Sequence, residues 1–137
     1  MSVNLTSEQV WEVLEKQLFA VLGMVNAKNE ARTIGMVYVA RDHKIYMVTG
    51  IDTWKARYVK ENPYVSLTVP IDKRIWIMPW VKIPAATITF SGQATAHTLD
   101  EVDDGILIAL LRGLENDPEM REKSCVIAVE PTGDFIT

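Results

Sequence analysis

Short polar turns between strand-length apolar segments limit most strongly how this chain can fold. Residues 19–25, 32–40 and 45–49 are mostly apolar and rich in strand formers, and the polar residues 27–30 and 41–44 separate them. A parallel pair of strands needs a crossover of about a dozen residues, so these short turns predict an antiparallel meander. Apolar side chains fall on both faces of the middle segment, which favours a barrel wall with something packed outside it.

The rest of the pattern adds three strands and flanking helices. Thr6 and Gln9 have the spacing of a capping box, and the helix that they begin is expected to end near Lys16. Residues 64–69 are rich in strand formers, residues 87–97 alternate between polar and apolar, and residues 125–130 are mostly apolar. The three segments predict the fourth, fifth and sixth strands.

Three local features of the second half of the chain carry further predictions. Gly92 lies inside a predicted strand and is expected to mark a bulge or a close backbone approach. Asp100 is expected to cap a helix whose buried stripe includes Ile106 and Leu110, followed by a polar connection over residues 113–123. The sum predicts a mainly β fold, a small closed or split β-barrel of about six mostly antiparallel strands with flanking helices, in one domain spanning residues 1–137.

Composition and charge exclude several classes of partner. The chain has 137 residues, of which 48% are apolar and 23% are charged, and its net charge is -4. No basic stripe is present, so we predict no nucleic-acid partner. No apolar run approaches the roughly 20 residues that span a bilayer, and no secretory leader is visible, so we predict a cytoplasmic protein without a membrane partner.

The residue types that carry most enzyme chemistry are sparse. Cys125 is the single cysteine and lies in an apolar run, which predicts a buried side chain rather than a reactive thiol or a disulfide. His43 and His97 stand apart without a Cys/His cluster, so we predict no metal site and keep haem binding as a weaker alternative. No nucleophile elbow or phosphate-binding loop motif occurs, and we nominate no catalytic residue.

Residues 49–63 carry the strongest functional signal. Thr49, Thr53 and Lys55 gather where a strand passes into a short helix, which Asn62-Pro63 ends because proline disfavours a helical residue before it. Lys55 falls in the first helical turn, where a cation is mildly unfavourable unless an anion binds there. The segment therefore indicates a phosphate site. In the alternative interpretation, Lys55 belongs to a solvated helix face, and Thr53 or Asp52 is an ordinary cap.

Arg32 extends this candidate site. It begins the segment that we expect to pair with residues 45–49, which would place its side chain near the start of the short helix. An Arg/Thr/Thr/Lys set would then offer charge-assisted hydrogen bonds to a phosphate. The backbone of residues 33–37 and 48–49 would line a flat apolar ligand beside it.

The order of these motifs resembles a known family. The run Arg32-Thr33-Ile34-Gly35-Met36-Val37-Tyr38-Val39, then Ile45-Tyr46-Met47-Val48-Thr49, then Thr53-x-Lys55 and Asn62-Pro63, is similar to the pyridoxamine 5'-phosphate oxidase-related FMN-binding split barrels. The resemblance implies a homodimer with FMN in a cleft between subunits. The cofactor-binding residues that it implies are Arg32, Thr33, Ile34, Met36, Val37, Val48, Thr49, Thr53 and Lys55.

The resemblance also implies an activity, and the sequence departs from the family pattern at two places. It implies an FMN-dependent oxidoreductase acting on a small molecule; the alternatives are a deazaflavin-dependent reductase and a non-catalytic flavin-binding or storage protein. Trp76 and Trp80, in an expected long loop over residues 70–84, would cover the cofactor or pack the dimer. The turn before Arg32 lacks the Gly-x-Pro common in the family, and Trp54 stands where an arginine often precedes the phosphate-binding lysine.

Overall fold

The computed structural model describes residues 6–71 and 86–136, so the predicted cover by Trp76 and Trp80 lies outside the described residues. Helices and strands alternate irregularly along the described chain, with one 3-10 turn at Leu99–Glu101. The order is α1 (Ser7–Lys16), β1 (Phe19–Val25), β2 (Ala31–Val37), β3 (Val39–Arg41), β4 (Lys44–Gly50), α2 (Trp54–Glu61), β5 (Tyr64–Ile71), β6 (Ala86–Thr98), α3 (Asp104–Leu111), α4 (Pro118–Lys123) and β7 (Ser124–Ile136).

The strands form a single curled antiparallel sheet in the order β2-β1-β5-β6-β7-β4-β3. β2 and β3 are consecutive in the chain, yet they lie at opposite edges of this sheet, so the sheet curls round until its two edges approach each other. This arrangement confirms the prediction of a mainly β split barrel with flanking helices. The described residues form seven strands rather than about six, because the expected strand over residues 32–40 is divided at Tyr38.

Tyr38 also explains why the predicted meander is interrupted: its two hairpins are present as β1–β2 and β3–β4, but they do not share one continuous middle strand. Its side chain is fully buried, its hydroxyl donates to the Leu14 carbonyl oxygen at 2.6 Å, and its backbone N–H donates to the Leu18 carbonyl oxygen at 3.0 Å. These bonds hold the chain to α1 and the residues after it at the point where it leaves one sheet edge for the other. As a result, β1 pairs with β2 and β5, while β4 pairs with β3 and β7.

Two apolar clusters stabilise the described fold. The larger fills the barrel interior and joins Val10 and Leu14 of α1 with strand residues such as Leu22 and Ile127. The smaller lies outside the barrel, where α3 packs Leu107 and its neighbours against Val126 of β7. Outer packing is thus present on β4 and β7. It was predicted for residues 32–40, and on β2 that prediction is wrong, because Val37 on the outer face remains 58% exposed.

The capping predictions are partly right. The Thr6–Gln9 capping box is present at α1. Asp103, not Asp100, caps α3 by accepting from the Gly105 N–H at 3.0 Å, because residues 98–101 form a capping box of their own around the 3-10 turn. The expected polar connection over residues 113–123 contains α4. Among the described helices the longest has ten residues, and none combines the length and apolar character needed to cross a membrane.

Cys125 is buried in β7, as its apolar surroundings in the sequence predict. The side chain is 7% exposed, and burial raises the pKa of the thiol, an effect that the nearby positive charge of Lys60 partly offsets. A thiol with a raised pKa is a poor nucleophile at neutral pH. The residue therefore acts as a small apolar side chain in the wall of the barrel.

Gly92 provides a test of the contact between β6 and β7. A Cβ atom at this position would lie 2.6 Å from Val129 Cγ1 and 3.0 Å from the Glu130 carbonyl oxygen, next to a register shift between Thr89 and Ser91. We expect Gly92→Ala to destabilise the fold by about 1–3 kcal/mol, because the two strands must move apart. Chemical denaturation measures this. The exposed neighbour Ser91→Ala is expected to change stability by less than about 0.5 kcal/mol, and equal midpoints for both variants would contradict the close approach.

Candidate functional site

A break in strand pairing between β2 and β4 marks the candidate site. β3 pairs with β4 in a register that sets Val39 opposite Tyr46. Continuing this register would place Val37 opposite Val48 and Met36 opposite Thr49, yet within the described sheet β2 pairs with β1 alone. Among the described residues, the edge of β2 away from β1 and the edge of residues 47–49 of β4 away from β7 therefore have no strand partner, and their backbone groups are free to bond a ligand.

A pair of threonines fixes the turn from β4 into α2. Thr49 is 5% exposed, and its hydroxyl lies 3.0 Å from the Thr53 hydroxyl. Thr53 Oγ1 donates to the Gly50 carbonyl oxygen at 2.8 Å and accepts from the Ala56 N–H at 3.4 Å. Since a hydroxyl has one proton, Thr49 is the donor between the two threonines. Thr53 is thus the cap of α2, and the alternative of Asp52 as the cap is wrong.

The first turn of α2 combines a cationic side chain with helix N–H groups that lack partners. Trp54 and Lys55 occupy its first two positions, and their N–H groups have no acceptor among the described residues. The turn contains no acidic residue, and no carboxylate of the described chain lies within 4.0 Å of the half-buried Lys55. The positive end of the α2 dipole and the ammonium group of Lys55 therefore lie close together and repel each other. A bound anion would relieve this repulsion.

Arg32 lies near the start of α2 through a side-chain contact and not through the strand pairing that the sequence predicted. The predicted pairing with β4 is right only for residues 39–40 of the expected strand and wrong for β2, which pairs with β1 alone in the described sheet and sets Arg32 opposite Met24. Its guanidinium carbon nevertheless lies 5.3 Å from the centre of the Trp54 ring, at the first residue of α2. The side chain thus bridges the gap between β2 and the segment that follows β4, near the place predicted for it.

The remaining predicted residues separate by the direction of their side chains. Met36 is buried and Ile34 half-buried against the barrel interior, while Val48 packs against the cluster under α3. Thr33 and Val37 are exposed on the outer face of β2. The structure therefore brings Arg32, Thr49, Thr53 and Lys55 to the start of α2, and gives the other five residues backbone positions along the two free edges.

A shallow groove of about 420 Å³ continues from Arg32 across the outer face of the sheet. Arg32 and Thr33 line one end, and small residues on neighbouring strands, among them Gly23 and Ser66, line its floor. Small side chains there leave space above the sheet. The groove has room for a flat group, and of the residues gathered at the start of α2 only Arg32 lines it.

A second groove, of about 360 Å³, lies between α3 and the strands β4, β6 and β7. None of the nine predicted residues lines it. Its wall includes His97, whose Nε2 lies 2.7 Å from Thr95 Oγ1 and whose Nδ1 lies 3.2 Å from Glu101 Oε2. Hydrogen bonds from His97 and Thr98 lower the pKa of Glu101. The other histidine, His43, stacks on Trp11 with ring centres 4.8 Å apart. Both imidazoles are thus engaged in local structural contacts.

Trp54 had no predicted role, yet its ring contacts both Arg32 and Tyr58. The indole packs edge-on against Tyr58 with ring centres 5.3 Å apart, and the Tyr58 hydroxyl accepts from Asn26 Nδ2 at 3.2 Å. The two aromatic residues are four positions apart on a helix, a spacing that puts them on one face. This spacing was the available signal; the Arg32 contact depends on a strand remote in sequence.

Comparisons with known proteins agree with this architecture. The family model described as pyridoxamine 5'-phosphate oxidase matches residues 6–133. An FAD-binding protein from Mesorhizobium loti has a TM-score of 0.74 at 13% identity, covering 96% of this chain and 93% of its own. An F420 reductase has a TM-score of 0.67 at 17% identity, covering 97% and 98%. The haem storage protein HutZ from Vibrio cholerae has a TM-score of 0.65 at 14% identity, covering 94% and 92%.

At these identities the solved structures establish a shared fold and leave the ligand of this chain open. No curated protein sequence matches the chain. The family match, in contrast, extends over nearly the whole sequence and includes every residue of the candidate site. The protein therefore belongs to the pyridoxamine 5'-phosphate oxidase family.

Proposed function

We propose that the protein is an FMN-dependent oxidoreductase that acts on a small molecule and works as a homodimer. The observation that carries the proposal is the positive start of α2, with Lys55 and two free N–H groups, beside the free edges of β2 and β4. A phosphate group would neutralise the positive charge at the start of α2. A flat ring system would fit beside the free edges of β2 and β4. Family membership makes a flavin the natural ligand with both parts.

The residues present fit such a cofactor by their donor chemistry. Lys55, Arg32 and the N–H groups of Trp54 and Lys55 would hold the phosphate through charge-assisted hydrogen bonds. Thr49 and Thr53 hold the turn that presents these donors. The backbone of residues 33–37 and 48–49 would run beside the ring. When bound, the flavin supplies electron or hydride transfer, and the protein binds and orients it.

The outer face of the sheet supports the homodimer. Phe19 lies opposite Val37 in the β1–β2 pair, and their side chains are 48% and 58% exposed. Tyr64 and Ile136 are 64% and 69% exposed on β5 and β7. Large apolar side chains on one sheet face are typical of surfaces that another protein chain covers. A second copy docked there would enclose the groove that begins at Arg32.

Absorbance and FMN titration test the proposal. We expect freshly purified protein to be yellow, or to bind added FMN saturably at one molecule per chain. Light scattering is expected to give the mass of two chains. Protein that is colourless and binds no added FMN would reject the proposal.

A deazaflavin-dependent reductase is the second candidate. The structural similarity to an F420 reductase over almost the full length of both chains favours it, because a deazaflavin also has a flat ring and a phosphate. Titration with FMN and the deazaflavin in parallel separates the two, since the true cofactor should bind at least tenfold more tightly. Tight FMN binding without turnover across a panel of electron donors and acceptors would instead indicate a flavin-storage protein.

A further inference from the structure

We propose that Trp54 is a positioning residue of the phosphate site: its indole face holds the Arg32 guanidinium at the start of α2, so that Arg32 discriminates phosphorylated from unphosphorylated flavin. The inference rests on the proposed function. It assigns a role to the residue at which this chain departs from the family pattern. In place of a second cation in the helix, the chain has an aromatic platform for a cation from another strand.

A series of contacts holds the Trp54 indole in place. Trp54 is half-buried in α2, where it packs edge-on against Tyr58 at 5.3 Å. Tyr58 is in turn tied to the β1–β2 turn through Asn26 Nδ2 at 3.2 Å. The Asn26 side chain is itself held, because its Oδ1 accepts from the N–H groups of Lys28 and Glu30 at 2.9 Å. The indole therefore has a defined orientation before any ligand arrives.

The geometry leaves Arg32 free to bind an anion while it is stacked. Its guanidinium carbon lies 5.3 Å from the Trp54 ring centre, within the range of a cation–π contact. This contact uses the charge of the group and none of its hydrogen bonds, and the N–H donors of Arg32 bond no other described residue. No carboxylate of the described residues pairs with Arg32. The donors are thus available to a phosphate at the start of α2.

The contact with Trp54 lowers the entropic cost of ordering the Arg32 side chain. The residue is exposed near the beginning of an edge strand, and a free arginine side chain there samples many rotamers. Confining it on the indole lowers the entropy that it loses when a phosphate binds. The Trp54–Arg32 contact should therefore increase the affinity only for ligands with a phosphate. The affinity for riboflavin, which lacks the phosphate, should not depend on it.

A double-mutant cycle tests this role. We expect Trp54→Leu to weaken FMN binding about 3- to 10-fold and riboflavin binding less than twofold, and Trp54→Phe to recover most of the loss. In an Arg32→Ala background, Trp54→Leu should have no further effect on FMN, because the stacked partner is gone. Arg57→Ala, which removes an exposed cation of the same helix, is the matched control and should leave the FMN-to-riboflavin ratio unchanged. Additive losses, or equal losses for both ligands, would overturn the proposal.

A readout without flavin separates this inference from the proposed function. In wild-type protein the indole ring current should shift the Arg32 Nε–H proton resonance upfield, and inorganic phosphate should move it. Trp54→Leu should abolish the upfield shift and weaken the response to phosphate. Failure of wild-type protein to bind FMN would reject the flavin cofactor alone. An Arg32 resonance that is identical in wild-type and Trp54→Leu proteins would reject the role of Trp54.

Discussion

Replacing Lys55 with alanine is expected to weaken FMN binding about 10- to 100-fold and to leave riboflavin binding nearly unchanged. The loss corresponds to about 1.5–3 kcal/mol, the usual contribution of a hydrogen bond that involves a charged group. Lys55 is half-buried in the first turn of α2, where the described structure gives it no acidic partner. Calorimetric titration of both flavins measures the difference, because the phosphate alone distinguishes them.

The matched control is Lys60→Ala, at the other end of the same helix. Lys60 is exposed in the last turn, where a cation favours the helix dipole, so its removal should change FMN affinity less than twofold. Without ligand, Lys55→Ala should stabilise the protein by about 0.3–1 kcal/mol, since it removes a cation from the positive end of the dipole. Unchanged FMN affinity in Lys55→Ala would show that the phosphate assignment is wrong even though the fold is right.

Replacing Tyr38 with alanine is expected to give the largest loss of stability, about 3–5 kcal/mol. The ring is fully buried in the barrel interior, and its hydroxyl donates to the Leu14 carbonyl oxygen at 2.6 Å. Burial raises the pKa of Tyr38 far above its ordinary value, so the hydroxyl keeps its proton and remains a donor at any practical pH. The substitution would remove the core packing and the bond to α1 together.

Denaturation in urea with two further variants separates these contributions. Tyr38→Phe keeps the ring and leaves the Leu14 carbonyl without its partner, so it should cost about 1–3 kcal/mol. Tyr64→Phe, at a tyrosine that is 64% exposed, should change the free energy of unfolding by less than about 0.5 kcal/mol. A Tyr38→Ala protein with the wild-type urea midpoint would be incompatible with the buried position of the ring.

Features that depend on near neighbours in the sequence could be predicted well. The β3–β4 turn has positive φ angles at Asp42 and His43, as expected for a two-residue hairpin turn with these residue types. The capping box of α1 and the end of α2 at Asn62 were also predictable, because each depends only on residues a few positions apart. The alternation of residues 87–97 likewise placed Ile88 and Phe90 correctly in the core.

Features that depend on remote partners could not be predicted from the pattern. The division of the expected 32–40 strand at Tyr38 arises from bonds to Leu14 and Leu18, which no periodicity reveals. The order of the strands in the sheet also depends on Tyr38, where the chain passes from β2 at one edge to β3 at the other. β7 extends to Ile136, beyond the predicted end at residue 130, because β6 supplies a pairing partner as far as Thr89 opposite Ile136.

The sequence by itself determined the hairpins and the local set Thr49, Thr53 and Lys55, because caps, tight turns and the first turn of a helix depend on bonds between adjacent residues. Only the tertiary structure decided that β2 separates from β4 and that Arg32 lies over Trp54. Those features follow from how Tyr38 packs and how α2 lies across the sheet. Such packing is the sum of many weak contacts between residues that are far apart in the sequence. These contacts produce no regular residue spacing from which they could be predicted.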